Sequence, residues 1–432
     1  MKINIAIVGA GIAGLSAAEK LSKNNKFKVV VFEEEAGIGG RTKVEEYRGV
    51  TIDYSAQFLF SNFETIMKSL NENKMNDKKH IIKKSLFSFY KNKKMHPFTV
   101  VGLFKYTSTK EKRELLTLAK KLRENSQLLK FTNVRTNEEL DSDSFTNWLQ
   151  KIGCENLVEY IAQPVTSALS LTHPEKISAA YGLALVNATL TKKIMSLSGG
   201  IGEICKKMHG NILKNGSTVI TNEKVKRISI DGDKIAGLET NNGFFDIDII
   251  INTTPLPRIK EIANKQIKDI TGKVKYSPAI QTWILTESEQ IKKMALMMPR
   301  IEWEDNMALL ETSIKSEHHL PAGKSMVEVF AYEEYARKLM NKDDKYIAEK
   351  IIENLKEVVG IKKDTVEWIK VNKIKNAIPI HCKKYCETAE KINNFREVTG
   401  LYFAGDFAAM PCTETAAWSG NITAEKIEKE YI

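Results

Sequence analysis

The sequence contains no long apolar run. No stretch approaches the roughly 20 apolar residues that a membrane-spanning helix needs. Its first residues pass from Met1 and Lys2 through a short apolar segment into a glycine turn, without the long apolar core and cleavage site of a secretory signal. We therefore expect a cytoplasmic protein that is soluble or touches a membrane only peripherally.

Cysteine is also scarce. Five cysteines are scattered through 432 residues, and this odd, sparse number favours a reducing compartment over a disulfide framework. Cys382 and Cys386 lie four residues apart, but no second pair of Cys or His residues follows nearby. A zinc site normally needs such a second pair, so we predict no metal.

Charge and composition exclude other classes. Hydrophobic residues make up 42% of the chain and charged residues 28%, which is typical of a folded protein and not of a disordered one. The formal net charge of +11 permits an anionic partner, but lysines are spread along the whole chain instead of forming a patch. We therefore predict no nucleic-acid partner.

A dinucleotide-binding fingerprint opens the chain. A β-branched run over residues 3–8 leads into a glycine turn and a helical segment, and a second apolar run over residues 27–32 ends in Glu33. In such a turn one glycine permits a sharp bend, the next lets a pyrophosphate approach the backbone, and the third allows close packing of helix on strand. The acid accepts hydrogen bonds from a ribose, and the helix N-terminus faces phosphate. The three glycines are Gly9, Gly11 and Gly14.

The segment after Glu33 indicates which dinucleotide binds. It contains Gly39, Gly40 and Arg41, and with this GGR element the sequence resembles the flavin amine oxidase superfamily, in which the element marks FAD binding. The resemblance implies that the glycine pair permits another close approach of the backbone and that Arg41 reaches the diphosphate. It also implies a fold: an α/β, Rossmann-like FAD-binding domain of the GR2 type, interleaved with an α+β substrate domain.

A second stretch of similarity surrounds the expected isoalloxazine region. Residues 53–58 resemble the D-x-G-x-Q segment of the superfamily, so Ala56 and Gln57 are implied to line the ring. Ser55 stands where the family usually has glycine. By the same resemblance, Val225 lies where the backbone holds the adenine, and Thr254 belongs to the strand that closes the FAD sheet.

The C-terminal part carries the second FAD signature. A strand ends in Gly405 and Asp406, and a helix opens seven residues later. The resemblance places Asp406 at the pyrophosphate and ribityl region, and Thr415 and Ala416 at the flavin edge. A helix N-terminus there would stabilise the negative charge of a reduced ring.

These motifs divide the chain. We predict an FAD-binding domain built from residues 1–70, 196–262 and 391–432. The substrate domain would then comprise residues 71–195, read mostly as helix, and residues 263–390. Helices are predicted at 110–124, 144–151 and 156–162.

The lysine-rich segment 78–94 has two interpretations. Basic residues interleaved with Leu86, Phe87, Phe89 and Tyr90 suit an anionic bilayer surface. Alternation of apolar and polar residues instead favours a β-hairpin with its turn at residues 91–94. We prefer the hairpin and keep peripheral membrane contact as an alternative. The pair His318–His319 has the polar surroundings of a solvated surface.

Two departures from the superfamily bear on chemistry. True amine oxidases of the superfamily usually carry a lysine near flavin N5, and hydrophobic phase aligns Gln281 with that lysine. Gln281 and Trp283 share one face of a predicted strand, and the resemblance implies that this face meets flavin and substrate, so both are catalytic candidates. The cysteine of covalent members corresponds to Ala377, which favours noncovalent FAD.

We therefore expect an FAD-dependent oxidoreductase that abstracts hydride from carbon, similar to protoporphyrinogen oxidases and polyene desaturases. Its partners would be a small, mostly hydrophobic substrate and O2 or another electron acceptor. An amine oxidase releasing H2O2 and a flavin-dependent isomerase remain alternatives.

Overall fold

A computed structural model describes residues 2–83, 87–135, 138–262, 267, 271–291, 293, 295–315 and 320–432. In these residues the strands are β1 Ile3–Val8, β2 Phe27–Phe32, β3 Val44–Tyr47, β4 Val50–Asp53, β5 Leu59–Phe60, β6 Lys79–Ile82, β7 Phe87–Lys91, β8 Lys94–Pro97, β9 Ile194–Leu197, β10 Thr218–Ile220, β11 Val225–Asp231, β12 Lys234–Thr240, β13 Phe244–Phe245, β14 Ile249–Asn252, β15 Tyr276–Thr286, β16 Ala295–Met297, β17 Met307–Glu311, β18 Ser325–Tyr332, β19 Val366–Pro379 and β20 Leu401–Phe403.

The α-helices in the same residues are α1 Ile12–Leu21, α2 Glu64–Glu72, α3 Val100–Tyr106, α4 Thr109–Glu124, α5 Glu138–Ser142, α6 Phe145–Lys151, α7 Gln163–Ser170, α8 Ala179–Thr191, α9 Glu203–Lys214, α10 Leu256–Ile262, α11 Thr312–Lys315, α12 Glu333–Leu339, α13 Asp344–Val359, α14 Tyr385–Asn393 and α15 Thr413–Tyr431.

A parallel sheet forms the first layer. Its order is β10–β2–β1–β14–β20, and each neighbouring pair is parallel. Its central strands are nearly continuous runs of Val and Ile because both faces are covered. Helix α1 connects β1 to β2 and packs against α15, where a Cβ on Gly420 would lie 2.2 Å from the Ala13 carbonyl oxygen. The β–α–β unit predicted from the opening motif is therefore present, with both of its strands at the expected residues.

A seven-stranded sheet forms the second layer. Its order is β19–β15–β18–β17–β16–β7–β8, and its pairs are antiparallel except for β16 beside β7. Every residue of β15 is buried, so the strand predicted around Gln281 is covered on both faces. The region 71–195 is less helical than predicted, because β6, β7, β8 and the first two residues of β9 lie within it.

The sheets draw on different parts of the chain. Strands of the parallel sheet come from the three ranges predicted for FAD binding, and strands of the seven-stranded sheet come from the two ranges predicted for the substrate domain. A smaller sheet, β5–β9–β6, joins strands on both sides of the predicted boundaries at 70/71 and 195/196. The exact boundaries stay a prediction.

Local signals explain the helix ends. Helix α4 begins at Thr109, one residue earlier than predicted, because Ser108 and Glu111 form a reciprocal capping box. Ser144 is the cap of α6 and accepts the Asn147 N–H, so that helix begins at Phe145. Residues 156–162 were predicted as an α-helix, but they form a 3₁₀ turn followed by one π-helical turn.

The lysine-rich segment forms the predicted hairpin, since β7 pairs antiparallel with β8 and Lys91 lies opposite Lys94. The Lys91 ammonium lies 3.4 Å from Glu111 and 4.3 Å from the Tyr160 ring centre, so its charge is paired within the protein. Lys84, Leu86 and the pair His318–His319 lie outside the described residues. Within the described ranges, no helix combines the length and the apolarity that crossing a membrane requires.

Candidate active site

A cavity of about 800 Å³ lies between the carboxyl ends of the parallel strands and the seven-stranded sheet. This volume is within the usual range for cofactor and substrate sites. Most of the residues predicted from the cofactor motifs line it: Gly9, Gly11, Glu33, Gly39, Gly40, Arg41, Ala56, Gln57, Val225, Thr254, Gly405, Asp406 and Ala416. Gly14, Thr415, Gln281 and Trp283 are not among its lining residues.

The glycine turn leaves space for a phosphate. Gly9 has φ of +104°, a conformation that residues with a side chain rarely adopt. A Cβ on Gly11 would meet no protein atom within 4 Å, so the backbone there is open toward the cavity. Helix α1 starts immediately after it without a capping side chain, which leaves its first N–H groups for a ligand. Gly14 has a packing role, because a Cβ there would lie 2.1 Å from the Gly9 carbonyl oxygen.

Glu33 directly follows β2 and lies at the cavity wall. Its carboxylate accepts the Ala10 N–H at 2.7 Å and the Glu35 N–H at 3.0 Å. Burial raises the pKa of this carboxyl above its usual value, although the two backbone N–H groups act in the opposite direction. The side chain therefore shapes the glycine turn in addition to offering an acceptor to the cavity.

Arg41 pairs with Asp406 across the cavity wall. Its Nη1 also donates to the Ala377 carbonyl oxygen at 2.7 Å, and its Nη2 lies 3.0 Å from Asp406 Oδ1. Burial by itself would lower the pKa of Arg41, but Asp406 raises it, so the guanidinium stays charged. The two signature motifs at opposite ends of the chain thus meet in one ion pair.

The C-terminal helix starts on the same wall. Ala416 lines the cavity, whereas Thr415 is fully buried behind it and donates to the Met410 carbonyl oxygen at 2.6 Å. Gly405 has extended backbone with φ of 164°, a conformation that any residue can adopt. It must be small for another reason, because a Cβ would lie 2.4 Å from the Phe407 ring.

Beyond Gln57 the wall becomes apolar. The residues of the FAD motifs line one half of the cavity, which we call the nucleotide half. Every Asp and Glu among the described lining residues belongs to this half, including Glu33 and Asp406. The other half, which we call the apolar half, is lined mostly by apolar residues, six of them phenylalanines: Phe58, Phe60, Phe63, Phe87, Phe131, Leu169, Leu171, Leu185, Ile194, Leu296, Met297, Leu310 and Phe330. Dispersion contacts and burial of apolar surface are therefore what this half offers a ligand.

Gln281 supports the wall from behind. It is fully buried, its Oε1 accepts the Ser55 N–H at 3.0 Å, and its Nε2 donates to the Asp53 carbonyl oxygen at 2.9 Å. Ser55 has φ of +54°, which explains why glycine is the usual residue at this turn. Trp283 is also fully buried and packs edge-on against Tyr54 at 5.0 Å. A direct catalytic role of Gln281 and Trp283 stays a prediction, and the contacts of Gln281 favour positioning.

The sequence reading missed a buried charged cluster beside Gln281. Lys315, Asp53 and Glu328 are each at most 2% exposed, and the Lys315 ammonium lies 3.0 Å from Asp53 and 3.6 Å from Glu328. Burial would lower the pKa of Lys315, but the two acids raise it. Glu328 within an otherwise apolar strand was the one signal in the sequence that could have revealed the cluster.

A second buried polar group lies away from the cavity. His381 Nδ1 lies 2.9 Å from the Ser178 hydroxyl, and Asp141 accepts the Cys386 backbone N–H at 3.1 Å. Asp141, His381 and Cys386 have possible ligand atoms within 4.8 Å of one another, a proximity that the cysteine spacing did not reveal. Burial lowers the pKa of His381 to about 3, so its imidazole is neutral near neutral pH.

Comparison with known proteins identifies the family. A profile of the flavin-containing amine oxidoreductase family matches residues 12–427. The chain belongs to this family. It is therefore an oxidoreductase with a flavin cofactor, and the cavity that carries the family motifs is the candidate flavin site. A 15-cis-phytoene desaturase of Synechococcus elongatus is 26% identical over 291 residues, covering 60% of this chain and 59% of the desaturase.

Solved structures show the same fold. A putative protoporphyrinogen oxidase from Exiguobacterium sp. 255-15 superposes with a TM-score of 0.80 at 16% identity, covering 100% of this chain and 99% of that one. A putrescine oxidase bound to putrescine superposes with a TM-score of 0.77 at 14% identity, covering 99% of each chain. The predicted Rossmann-like FAD-binding fold is thus confirmed.

Proposed function

We propose that this enzyme binds FAD noncovalently and removes hydride from a carbon atom of a small, largely apolar substrate, like protoporphyrinogen oxidases and polyene desaturases. The apolar half of the cavity carries this proposal. Its described wall has no carboxylate that could pair with an ammonium group, so an amine would lose its hydration without a charged partner. An uncharged conjugated or prenyl-like substrate does not incur this cost.

The described residues fit FAD. Gly11 and the uncapped start of α1 suit the diphosphate, Glu33 can accept from ribose, and Arg41 adds positive charge beside the diphosphate. The change from polar to apolar wall at Gln57 suits the ring end of the cofactor.

Noncovalent binding is supported by two residues on the wall. Ala377, which corresponds to the cysteine of covalent members, lines the cavity and has no thiol. Cys412 also lines the cavity, but burial raises the pKa of its thiol to about 12. A neutral thiol is a poor nucleophile, so Cys412 is not suited to attack the ring.

Bound FAD would supply the acceptor for the hydride, and the second hydrogen of the dehydrogenated bond would leave as a proton. O2 or another external oxidant would take up the two electrons. The residues of the apolar half hold the C–H bond and exclude water. The N-terminus of α15 lies on the cavity wall, where its dipole favours negative charge on the reduced ring.

A donor panel tests the proposed function. FAD-loaded protein is mixed anaerobically with porphyrinogens, polyenes, or primary and secondary amines including putrescine, and the loss of flavin absorbance and the products are measured. We expect bleaching and a dehydrogenated product with a porphyrinogen or polyene. Rapid bleaching by amines, with H2O2 formed in air, would support an amine oxidase instead. An isomerised product without net oxidation would support the isomerase alternative.

Location in the cytoplasm and peripheral membrane contact stay predictions. Of the hairpin lysines, Lys91 pairs within the protein, whereas Lys93 and Lys94 are exposed.

A further inference from the structure

A lysine is enclosed behind the cavity wall. Lys315 ends the short helix α11, while its acidic neighbours Asp53 and Glu328 lie on β4 and β18. We call Asp53, Gln57, Gln281, Thr312, Lys315 and Glu328 the Lys315 cluster. A buried charge is costly unless it is paired and hydrogen-bonded, so the cluster holds a specific arrangement of donors and acceptors.

The Lys315 ammonium fixes the orientation of the Gln57 side-chain amide. Lys315 Nζ lies 2.5 Å from Gln57 Oε1 and 3.0 Å from Asp53 Oδ2. An ammonium group can only donate hydrogen bonds, so it binds the amide oxygen of Gln57. This excludes the orientation in which the amide oxygen and nitrogen exchange places. The amide nitrogen of Gln57 must then lie on the other side of the side chain.

The amide nitrogen has one donor to spare. Gln57 Nε2 donates one N–H to the Asp53 carbonyl oxygen at 3.2 Å. Its second N–H has no acceptor in the part of the chain that the structure describes. Gln57 lines the cavity, so the second N–H is the polar group that it offers to a ligand.

The position of Gln57 indicates which part of a ligand it meets. Its neighbour Ala56 donates its N–H to the Arg41 carbonyl oxygen at 3.0 Å, which ties this segment to the nucleotide half. Phe58 on the other side begins the apolar half. Gln57 therefore lies at the junction, where a cofactor anchored at Gly11 would place the part farthest from its adenine.

We propose that Lys315 is a positioning residue: it orients the Gln57 amide so that an N–H, instead of the oxygen, faces the edge of the bound flavin ring. This N–H then donates to an acceptor atom of the ring. This inference rests on the proposed binding of FAD in this cavity. Negative charge grows on the ring when it takes up two electrons, so a fixed donor binds the reduced state more strongly than the oxidised state. The cluster thereby raises the midpoint potential of the bound flavin.

The test measures that potential by equilibration with a reference dye. Gln57→Leu removes the donor and Gln57→Glu replaces it by an acceptor that Lys315 can still bind. Both variants keep the buried ion pairs, unlike Lys315→Met, which would leave two buried acids without their cation. Thr282→Val serves as control, because Thr282 is fully buried next to Gln281 on β15 but lies outside the cluster.

We expect Gln57→Leu to reduce the preference for reduced over oxidised flavin by roughly tenfold, which is about 30 mV for a two-electron couple. Gln57→Glu should lower the potential further, and Thr282→Val should leave it unchanged. A Gln57→Leu variant that binds FAD with the wild-type potential overturns the inference alone. Wild-type protein that binds no FAD overturns the proposed function as well.

Discussion

Arg41 and Asp406 form an ion pair although 365 residues separate them in the chain. Arg41 follows the glycine pair Gly39–Gly40, and Asp406 lies three residues after β20, the last strand of the parallel sheet. The pair therefore closes the nucleotide half of the cavity and places a guanidinium where a diphosphate would bind.

Arg41→Met should weaken FAD binding by roughly ten- to hundredfold, since a charge-assisted hydrogen bond contributes about 1.5–3 kcal/mol. Titration of the apoprotein with FAD measures the dissociation constant. Arg41→Lys is the matched control, because it keeps the charge but loses the forked geometry, and it should lie between the wild type and Arg41→Met. Equal affinities in all three proteins would remove Arg41 from the diphosphate site.

Glu33→Ala should weaken FAD binding and also destabilise the protein, because the carboxylate holds the N–H groups of Ala10 and Glu35. The loss in affinity should be roughly ten- to hundredfold. Glu33→Gln keeps one oxygen acceptor and should have a smaller effect on both quantities. FAD titration and urea unfolding of the apoprotein separate the two contributions. An affinity unchanged in Glu33→Ala would leave Glu33 with the structural role only.

Gln281→Leu should lower the free energy of unfolding by about 1–3 kcal/mol, because it leaves the N–H of Ser55 and a carboxylate oxygen of Glu328 without their partner. Urea unfolding measures the change, again with Thr282→Val as control. Ser55→Gly in the Gln281→Leu background should recover part of the loss, because glycine adopts the positive φ without strain. A fully stable Gln281→Leu variant would show that the turn does not depend on this amide.

His381 should make stability depend on pH. Its pKa is about 3 in the folded protein and about 6.5 when unfolded, so below pH 6.5 the unfolded chain binds more protons. The stabilisation is complete above pH 6.5 and is lost as the pH falls toward 3. The loss should reach about 2 kcal/mol at about pH 5. Other groups also titrate, so the informative quantity is the difference in slope between the wild type and His381→Gln. Parallel pH profiles would contradict the assignment.

The sequence predicts the nucleotide half of the cavity well because local backbone geometry limits which residues can occupy its positions. Gly9 is required by a positive φ and Gly14 by close packing, so their spacing marks the turn without any knowledge of the rest of the chain. Glu33 follows from the end of a strand in the same way. Such positions depend on neighbours within a few residues or on one bound ligand.

The remaining features depend on contacts between distant segments. Lys315, Asp53 and Glu328 come from three separate elements, and no local pattern relates them. Thr415 was predicted on the cavity wall together with Ala416, but successive helical residues differ by about 100° in direction, and only Ala416 faces the cavity. The same limit applies to Gln281, because alternation along β15 identifies a face but not whether that face meets the cavity or its supporting wall.

The position of the flavin in a crystal structure of the FAD-loaded protein tests the central claim most directly. The account predicts the adenosine end beside Glu33 and Val225, the diphosphate beside Gly11 and Arg41, and the ring edge beside Gln57, with no density joining the ring to Cys412. The apolar half should remain free for a substrate. FAD bound outside this cavity, a ring that fills the apolar half, or a covalent bond to the protein would contradict it.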